Sequence, residues 1–409
     1  MPFEAHRQSY LAVSMFYPPS AETRAVMVSR LLAALPQEWL IAHGASLYFR
    51  QDPSTAPGPQ AGPREFFPLP APGHAPLAAR LAKRGVPLVQ QRPDRYRAWI
   101  QPASRAITAW LVARPRPPRA VLGIGQPWSS LMTAAQVSRN TGLPLLAYFS
   151  DPWYDNLGLN HLPDPLSRAL HRRWEAQVVE QAAKVMFPCQ DLADLVMAKY
   201  PEKQRAKARI IPHSFDSARY PAFAPDPQGI KHVRFLGSFY QKLTPLPFLR
   251  GLARALEIAP NAFEQVRFQF IGPDSVYFQD APELAALPSG LVSFLPPVAY
   301  QESLDLMAAS HALLVIDPEI PTCPLLLSKL VDYLGANRPL CGVVTQGHTQ
   351  RLLTELGGWS ASYQNPQAIA EMLVRVAAAP SEPVPLDQTV RAAYAVREVA
   401  TRFQAILDE

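Results

Sequence analysis

The 409-residue chain has no run of about eighteen or more apolar residues, which excludes a membrane-spanning helix by sequence. Its opening, MPFEAHRQSYLAVSMF, lacks the basic head, apolar middle and small-residue cleavage site of a secretory signal, so a cytoplasmic protein is expected. Cysteine is scarce: Cys189, Cys323 and Cys341 stand far apart and never as Cys-x-x-Cys, which argues against a disulfide framework and a zinc knuckle. Buried free thiols are the simpler expectation. Also missing are G-x-x-x-x-G-K-[ST], G-x-S-x-G, H-E-x-x-H and a kinase motif set, which removes P-loop NTPases, α/β-hydrolases, zincins and kinases. The G-x-G of VLGIGQPW has neither a third glycine nor a following acidic ribose anchor, so no dinucleotide cofactor is expected. The nearest acidic pair for a metal-held diphosphate, Asp317 with Glu319 after ALLVID, reads more simply as a strand end followed by a polar turn. No metal ligand and no cofactor are assigned.

What is present is apolar and organised. The hydrophobic share, 48%, over this length suits two α/β domains. Strands are expected at YLAVSMF, WLIAHGA, VPLVQ, AVLGIG, PLLAYF, KVMF and ARIIP, with RAVMVSRLLAAL, SLMTAAQVSRN and LSRALHRRWEAQVVEQAA at helical spacing between them. A second series follows: VRFLGSFY, VRFQFIG, LVSFLP, ALLVID and PLCGVV as strands, with FLRGLARALEI, ESLDLMAA, LLSKLVDYLGA, TQRLLTEL and AIAEMLVRVAAA as helices. Proline clusters in 51–76 and 114–118 favour extended loops there. Two domains are expected, 1–220 and 230–385, joined through proline-rich 221–229, with a terminal helix over 388–409. Ligands of open parallel sheets lie beyond the carboxyl ends of the strands, so a cleft between two such sheets is the expected site.

The charge is unequally shared. Residues 1–220 hold 26 Lys and Arg against 15 Asp and Glu, and the remainder hold 13 against 18. From Arg64 to Arg119, Arg80, Lys83, Arg84, Arg92, Arg95, Arg97, Arg105, Arg114 and Arg116 are opposed only by Glu65 and Asp94. Such a surface suits anionic lipid or a phosphorylated acceptor, and solvated arginine explains it equally well.

Four segments carry a family resemblance. QPWSSLMTAAQVSRNTGLPLLAYFSDPWYDN resembles the "P-x-S-S…G-I-P…D-F-R-D-P-W" pattern of family 4 glycosyltransferases of the GT-B type. RIIPHSFD resembles their "I-P-N-G-x-D", FLGSFYQK their "Y-x-G-S-x-Y-x-x-K", and SKLVDYLGANRPLCG their "S-K-L-x-E-Y-L-A-A-G-R-P-V-L". The likeness spans nearly the whole chain in order. It implies two facing Rossmann-like domains, an acceptor in the N-terminal one, a UDP-, GDP- or dTDP-sugar in the C-terminal one, and no required metal.

A diphosphate leaving group without a metal needs Lys, Arg or helix N-termini to meet its charge. By resemblance Lys242, following Gly237 and Ser238, would reach the diphosphate. Ser328 and Lys329 open the SKLVDYLGA helix, where backbone N–H groups and the ammonium could face phosphate oxygens. Asp332 matches the acid that bonds the ribose. Phe294 and Leu295 of SFLPPV match the segment whose backbone reads the base. The Glu-x7-Glu pair is broken, with Pro324 in its first place, so the backbone of TCPLLLS is left to recognise the sugar. Ser150-Asp151 replaces a usual His-Asp. Asp151 could activate the acceptor hydroxyl, with Trp153 and Tyr154 stacking on a sugar ring, or it could be a turn residue with Trp153 in the core. Ser20 or Thr23 would cap the first helix in place of missing glycines, leaving free N–H groups for the acceptor.

A retaining transferase of bacterial surface-glycan assembly, peripheral at the inner membrane face and using a glycan or lipid-linked acceptor, is the leading expectation. A nucleotide-sugar 2-epimerase and a non-catalytic sugar-binding partner are the alternatives. Nucleic acid is not an expected partner, since Tyr96, Trp99 and Trp110 lie among arginines without a recognised binding module.

Overall fold

The computed structural model describes residues 8–45, 51–56, 62–70, 92–156, 165–239, 242–273, 275–380, 382 and 384–409. The expected strand VPLVQ and the basic residues Arg80, Lys83 and Arg84 lie outside them. The chain divides into two compact units, Met1–Pro212 with Ala400–Glu409, and His213–Val399.

The first unit holds a seven-stranded sheet in the order β3-β2-β1-β4-β5-β6-β7, every pairing parallel. Its strands are β1 (Ser9–Ser14), β2 (Glu38–Ala45), β3 (Arg64–Pro70), β4 (Val121–Gly125), β5 (Leu145–Phe149), β6 (Lys184–Phe187) and β7 (Ala208–Ile210). Its longer helices are α1 (Thr23–Ala33), α2 (Ile100–Val112), α3 (Trp128–Thr141), α4 (Pro165–Gln181) and α5 (Gln190–Met197). Central strands covered on both faces need apolar residues at every position, and Leu11, Ala12 and Val13 have no exposed surface.

α5 was not expected from the sequence, and two further elements differ from expectation for a physical reason. β3, REFFPLP, lies in the proline-rich stretch expected to be loop. It is an edge strand, and there Pro68 and Pro70 forfeit only hydrogen bonds that no neighbour requires. α2 was hidden because Pro102 interrupts its apolar spacing; in the first turn, proline removes no intrahelical bond. Part of the arginine run is consumed internally. Arg64 donates to the carbonyls of Leu35 (3.0 Å) and Gln37 (2.9 Å) past the end of α1, and Arg114 donates through Nη1 to both Glu65 oxygens at 2.7 and 2.8 Å.

The second unit holds a six-stranded parallel sheet, β10-β9-β8-β11-β13-β15. In chain order its elements are β8 (Lys231–Leu236), α6 (Leu246–Ile258), β9 (Val266–Ile271), β10 (Val292–Leu295), α7 (Tyr300–Ala308) and β11 (Ala312–Ile316). There follow β12 (Thr322–Cys323), α8 (Ser328–Ala336), β13 (Leu340–Val344), β14 (Gln346–Gly347), α9 (His348–Glu355), β15 (Trp359–Ser362) and α10 (Pro366–Ala378). The two-residue strands β12 and β14 pair with each other beside the main sheet. An aromatic core of Phe235, Phe239, Phe248, Phe268, Phe270 and Phe294 lies under the sheet. The segment after Pro212 belongs here for a packing reason. A Cβ on Gly335 would sit 2.3 Å from the Tyr220 ring, so α8 needs glycine where Tyr220 lies on it. Beside it Gln301 donates to the Arg219 carbonyl at 3.0 Å. α11 (Gln388–Ala392) and α12 (Val396–Asp408) close the chain, and the last residues of α12 belong to the first unit, where Phe403 stacks on Trp39.

In each sheet the strand order reverses at one point, between β1 and β4 and between β8 and β11. Ligands of open α/β sheets bind outside the carboxyl ends of the strands at such points.

Candidate functional site

At the reversal in the second sheet, β8 ends at Leu236 and turns at Gly237, whose φ of 152° is open to glycine but not readily to other residues. The turn is clamped from behind. Tyr333 of α8, fully buried, accepts the Leu236 N–H at 2.8 Å and donates to the Leu236 carbonyl at 3.3 Å. The Gly237 N–H goes to Ile271 at 2.9 Å, at the end of β9. These three bonds hold the two peptides flanking Leu236 in place at the mouth of the sheet.

Lys329 enters that mouth from the first turn of α8. Its Nζ is shut off from solvent, lies 4.1 Å over the Phe235 ring centroid and has no hydrogen-bond partner among the described residues. A Cβ on Gly237 would stand 2.9 Å from that Nζ, so glycine makes the room the ammonium occupies. Burial pulls the Lys329 pKa down to about 7, against the opposing charge of Asp317. Asp317 follows β11, is 1% exposed, and takes the Thr345 N–H at 3.3 Å on one oxygen, with its other oxygen buried. Burial pushes its pKa up to about 6, offset in part by the Thr345 N–H, the Thr349 hydroxyl and Lys329. Ser328 and Lys329 open α8 behind Leu327, which supplies no capping side chain, so their N–H groups face outward at the positive end of the helix.

The other residues expected at the donor distribute around this point. Ser238 is half-buried in the turn, and Lys242 is exposed on the loop beyond, its carbonyl taking the Glu319 N–H at 2.9 Å. Thr244 donates to the Glu319 carboxylate at 2.9 Å, which ties the loop after β8 to the loop after β11. Asp332 is half-buried one turn along α8, with the Tyr300 hydroxyl at 3.4 Å. Phe294 is a core residue stacked 5.0 Å from Phe270, and Leu295 is half-buried. Their carbonyls accept from Gln279 (3.1 Å) and Gly272 (3.2 Å).

In the first unit the DPWYD loop follows β5. Asp151 pairs with Arg24 of α1 at 2.9 Å and also takes the Ser150 hydroxyl at 3.1 Å. Trp153 corrects the expectation of sugar stacking. It has no exposed surface, lies 5.0 Å from Trp128 with ring planes 2° apart, and donates through Nε1 to His171 Nδ1 at 2.9 Å. A ring enclosed on both faces by core has none to offer a ligand. His171 is consequently an acceptor at Nδ1, and burial, with Arg92 nearby, takes its pKa down to about 4, so it is neutral. Tyr154 is half-buried, its N–H on Glu175 at 2.7 Å and Lys199 5.5 Å over its ring. Glu175, wholly buried, also holds Lys199 at 3.0 Å and the Tyr200 hydroxyl at 2.8 Å, which pins the loop from beneath. Neither Ser20 nor Thr23 caps α1: Glu22 holds the N-cap position without a side-chain bond, and buried Ser20 takes the Glu22 N–H at 3.4 Å. Sequence reasoning also missed Asp94, which takes the Ser129 N–H and hydroxyl at 2.8 and 2.5 Å. The N-terminus of α3, at the first sheet's reversal point, is therefore filled by the chain's own carboxylate.

No family model matches the sequence, and no curated protein matches it. Solved structures do match in fold. A sucrose-phosphate synthase from Thermosynechococcus elongatus is 14% identical, with 98% of each chain covered and a TM-score of 0.65. Anabaena HepE in complex with UDP and glucose is 14% identical over 98% of this chain and 100% of that one, at a TM-score of 0.60. A putative UDP-N-acetylglucosamine 2-epimerase from Listeria monocytogenes is 12% identical over 98% and 96%, at 0.60. The chain has a GT-B fold. Among the described residues of this GT-B chain, no group of three or more His, Cys, Asp and Glu side chains could hold a metal ion, and no helix is long and apolar enough to cross a membrane.

Proposed function

We propose that the chain is a glycosyltransferase that takes its sugar from a nucleotide diphosphate bound by the second unit. The observation that carries this reading is the Lys329 ammonium, buried beside Gly237 at the uncapped start of α8 with no hydrogen-bond partner among the described residues. A buried cation with no partner costs several kcal/mol unless an anion completes it. A diphosphate has the charge and the multiple acceptors to do so, and its negative charge grows as the sugar departs. The fold shared with a sucrose-phosphate synthase and with HepE bound to UDP and glucose supports the same reading.

In this account Lys329 and the Ser328 and Lys329 N–H groups hold the diphosphate, Lys242 approaches from the loop after β8, and Gly237 and Ser238 let the phosphates come close to the backbone. Asp332 bonds the ribose, and the edge at Phe294 and Leu295 meets the base. The first unit takes the acceptor near Asp151 and Tyr154, with Ser20 on the adjoining loop and Thr23 at the start of α1. Because Asp94 fills the anion position at α3, the second unit is left as the nucleotide site. Asp151 then acts at the acceptor hydroxyl, its carboxylate oriented by Arg24. Transfer with retention, without a metal, onto a glycan or lipid-linked acceptor of a surface polysaccharide is the finer form of the proposal. The exposed arginines 95, 97, 105 and 116 are the basic surface that would meet an anionic membrane.

A thermal-shift screen against UDP-, GDP- and dTDP-sugars, followed by product analysis with donor alone and with acceptor, tests the reading. Stabilisation by one donor and acceptor-dependent release of nucleotide are expected. Isomerised sugar from donor alone would establish the epimerase instead, and stabilisation by no nucleotide would overturn the donor assignment.

A further inference from the structure

The chemistry assigned to Lys329 requires it to be charged, yet its surroundings oppose that charge. The amine lies on the Phe235 ring and against Gly237, out of contact with water. One neighbouring group offsets this. The register of β8 with β11, Ala312 opposite Val233 and Leu313 opposite Arg234, runs on to bring Asp317 alongside the Gly237–Ser238 turn on the adjacent strand end. Adjacent strands are about 4.8 Å apart, so the Asp317 carboxylate and the Lys329 ammonium share one enclosed corner without forming a direct ion pair.

We propose that Asp317 is a positioning residue for Lys329: a buried carboxylate built into the neighbouring strand end that keeps the ammonium protonated and aimed at the space beside Gly237. The inference rests on the donor reading above and adds a residue that the sequence pattern presents as a strand end followed by a polar turn. Two features set Asp317 apart from an ordinary strand-end acid. One oxygen is anchored by the Thr345 N–H, with the Thr349 hydroxyl beside the carboxylate, and both oxygens face neutral donors or Lys329 among the described residues, so the side chain is fixed without its charge being neutralised. The other ionisable groups nearby do different work. On α8 itself, Asp332 is turned to Tyr300 and Tyr333 is committed to Leu236. On the loop after β8, Lys242 is exposed, and on the loop after β11, Glu319 is bonded to Thr244. On α9, His348 stands at the first position of its helix. Of all these, Asp317 is the group whose charge acts on the Lys329 amine.

The test is an NMR titration of protein labelled with [13Cε]lysine, the Lys329 resonance being assigned from its absence in Lys329→Arg. In the parent the resonance titrates near neutral pH. In Asp317→Asn, which keeps the shape and the acceptor for Thr345 but loses the charge, the midpoint falls by about one pH unit. Asp317→Glu restores the parent midpoint. Inorganic pyrophosphate binding, measured from pH 6 to 8.5, follows suit: its high-pH loss moves to lower pH in Asp317→Asn relative to the parent, whatever the overall affinity. A Lys329 midpoint that is the same in Asp317→Asn and the parent overturns the proposal. Should Asp317→Asn not fold, the parent decides, because protonation of Asp317 at mildly acidic pH must move the Lys329 resonance in a second step, and a single step contradicts the coupling. A parent protein that binds no pyrophosphate while its Lys329 responds to Asp317 would count against the donor reading and leave the pairing standing.

Discussion

Lys329→Met separates a binding residue from a structural one, because the two make opposite predictions for stability. Methionine fills most of the lysine volume and can remain on Phe235. The amine has a pKa of about 7 in the folded chain. Its unfolded value is near 10.4, so between these values the unfolded chain binds the proton that the folded chain has lost. Stability therefore rises with pH across that window, and the full penalty is present below about pH 7. At pH 7 the difference sets an upper limit of about 4 kcal/mol on the cost of carrying Lys329. The variant also deprives Asp317 of its counter-charge, which offsets part of the gain and leaves an expected net of about 1–2 kcal/mol. For a unit of this size that is a rise of about 3–6 °C in the thermal midpoint. Loss of one charge-assisted bond to a bound diphosphate should meanwhile weaken donor binding by about tenfold to a hundredfold. Calorimetry of the ligand-free proteins between pH 7 and 9.5 provides the check, and the stability gap should narrow as pH rises. A variant less stable than the parent by a pH-independent amount would refute the reasoning, since Lys329 would then be satisfied within the fold.

Further expectations follow from the same geometry. Tyr333→Phe keeps the ring but leaves the Leu236 N–H and carbonyl without their clamp; unfolding in denaturant should show a loss of about 1–3 kcal/mol, with donor KM rising more than kcat changes, and an unchanged KM would detach the clamp from the site. Transfer should persist in EDTA, with the compensating charge supplied by Lys242 and Lys329; loss of transfer that Mg²⁺ or Mn²⁺ restores would instead direct attention to Asp317 and Glu319. Vesicle flotation at low and high salt should show weak, salt-sensitive binding to anionic lipid, and no binding at low salt would leave the exposed arginines as solvation alone.

Much of the fold was legible because the strands of a parallel sheet covered on both faces must be apolar throughout, and runs such as ALLVID and PLLAYF stand out against helical spacing. β3 was not, because proline spoils the pattern of a central strand but not of an edge. The SKLVDYLGANRP segment could be located, including its end, where Asn337 takes the left-handed conformation (φ 54°) that closes α8. That Tyr333 points back to Leu236, or that Asp317 is enclosed with Lys329, depends on contacts between residues far apart in sequence, and no local spacing reveals them. Trp153 shows the opposite failure: an aromatic beside a candidate catalytic acid looks like a stacking platform, and only its 0% exposure shows it to be core.

The most direct measurement is a crystal structure of the chain grown with the nucleotide-sugar that stabilises it most in the thermal-shift screen. The account predicts the diphosphate in contact with Lys329 Nζ and the Ser328 and Lys329 N–H groups, beside Gly237. A nucleotide bound elsewhere, or one that leaves the Lys329 amine without a partner, would contradict it.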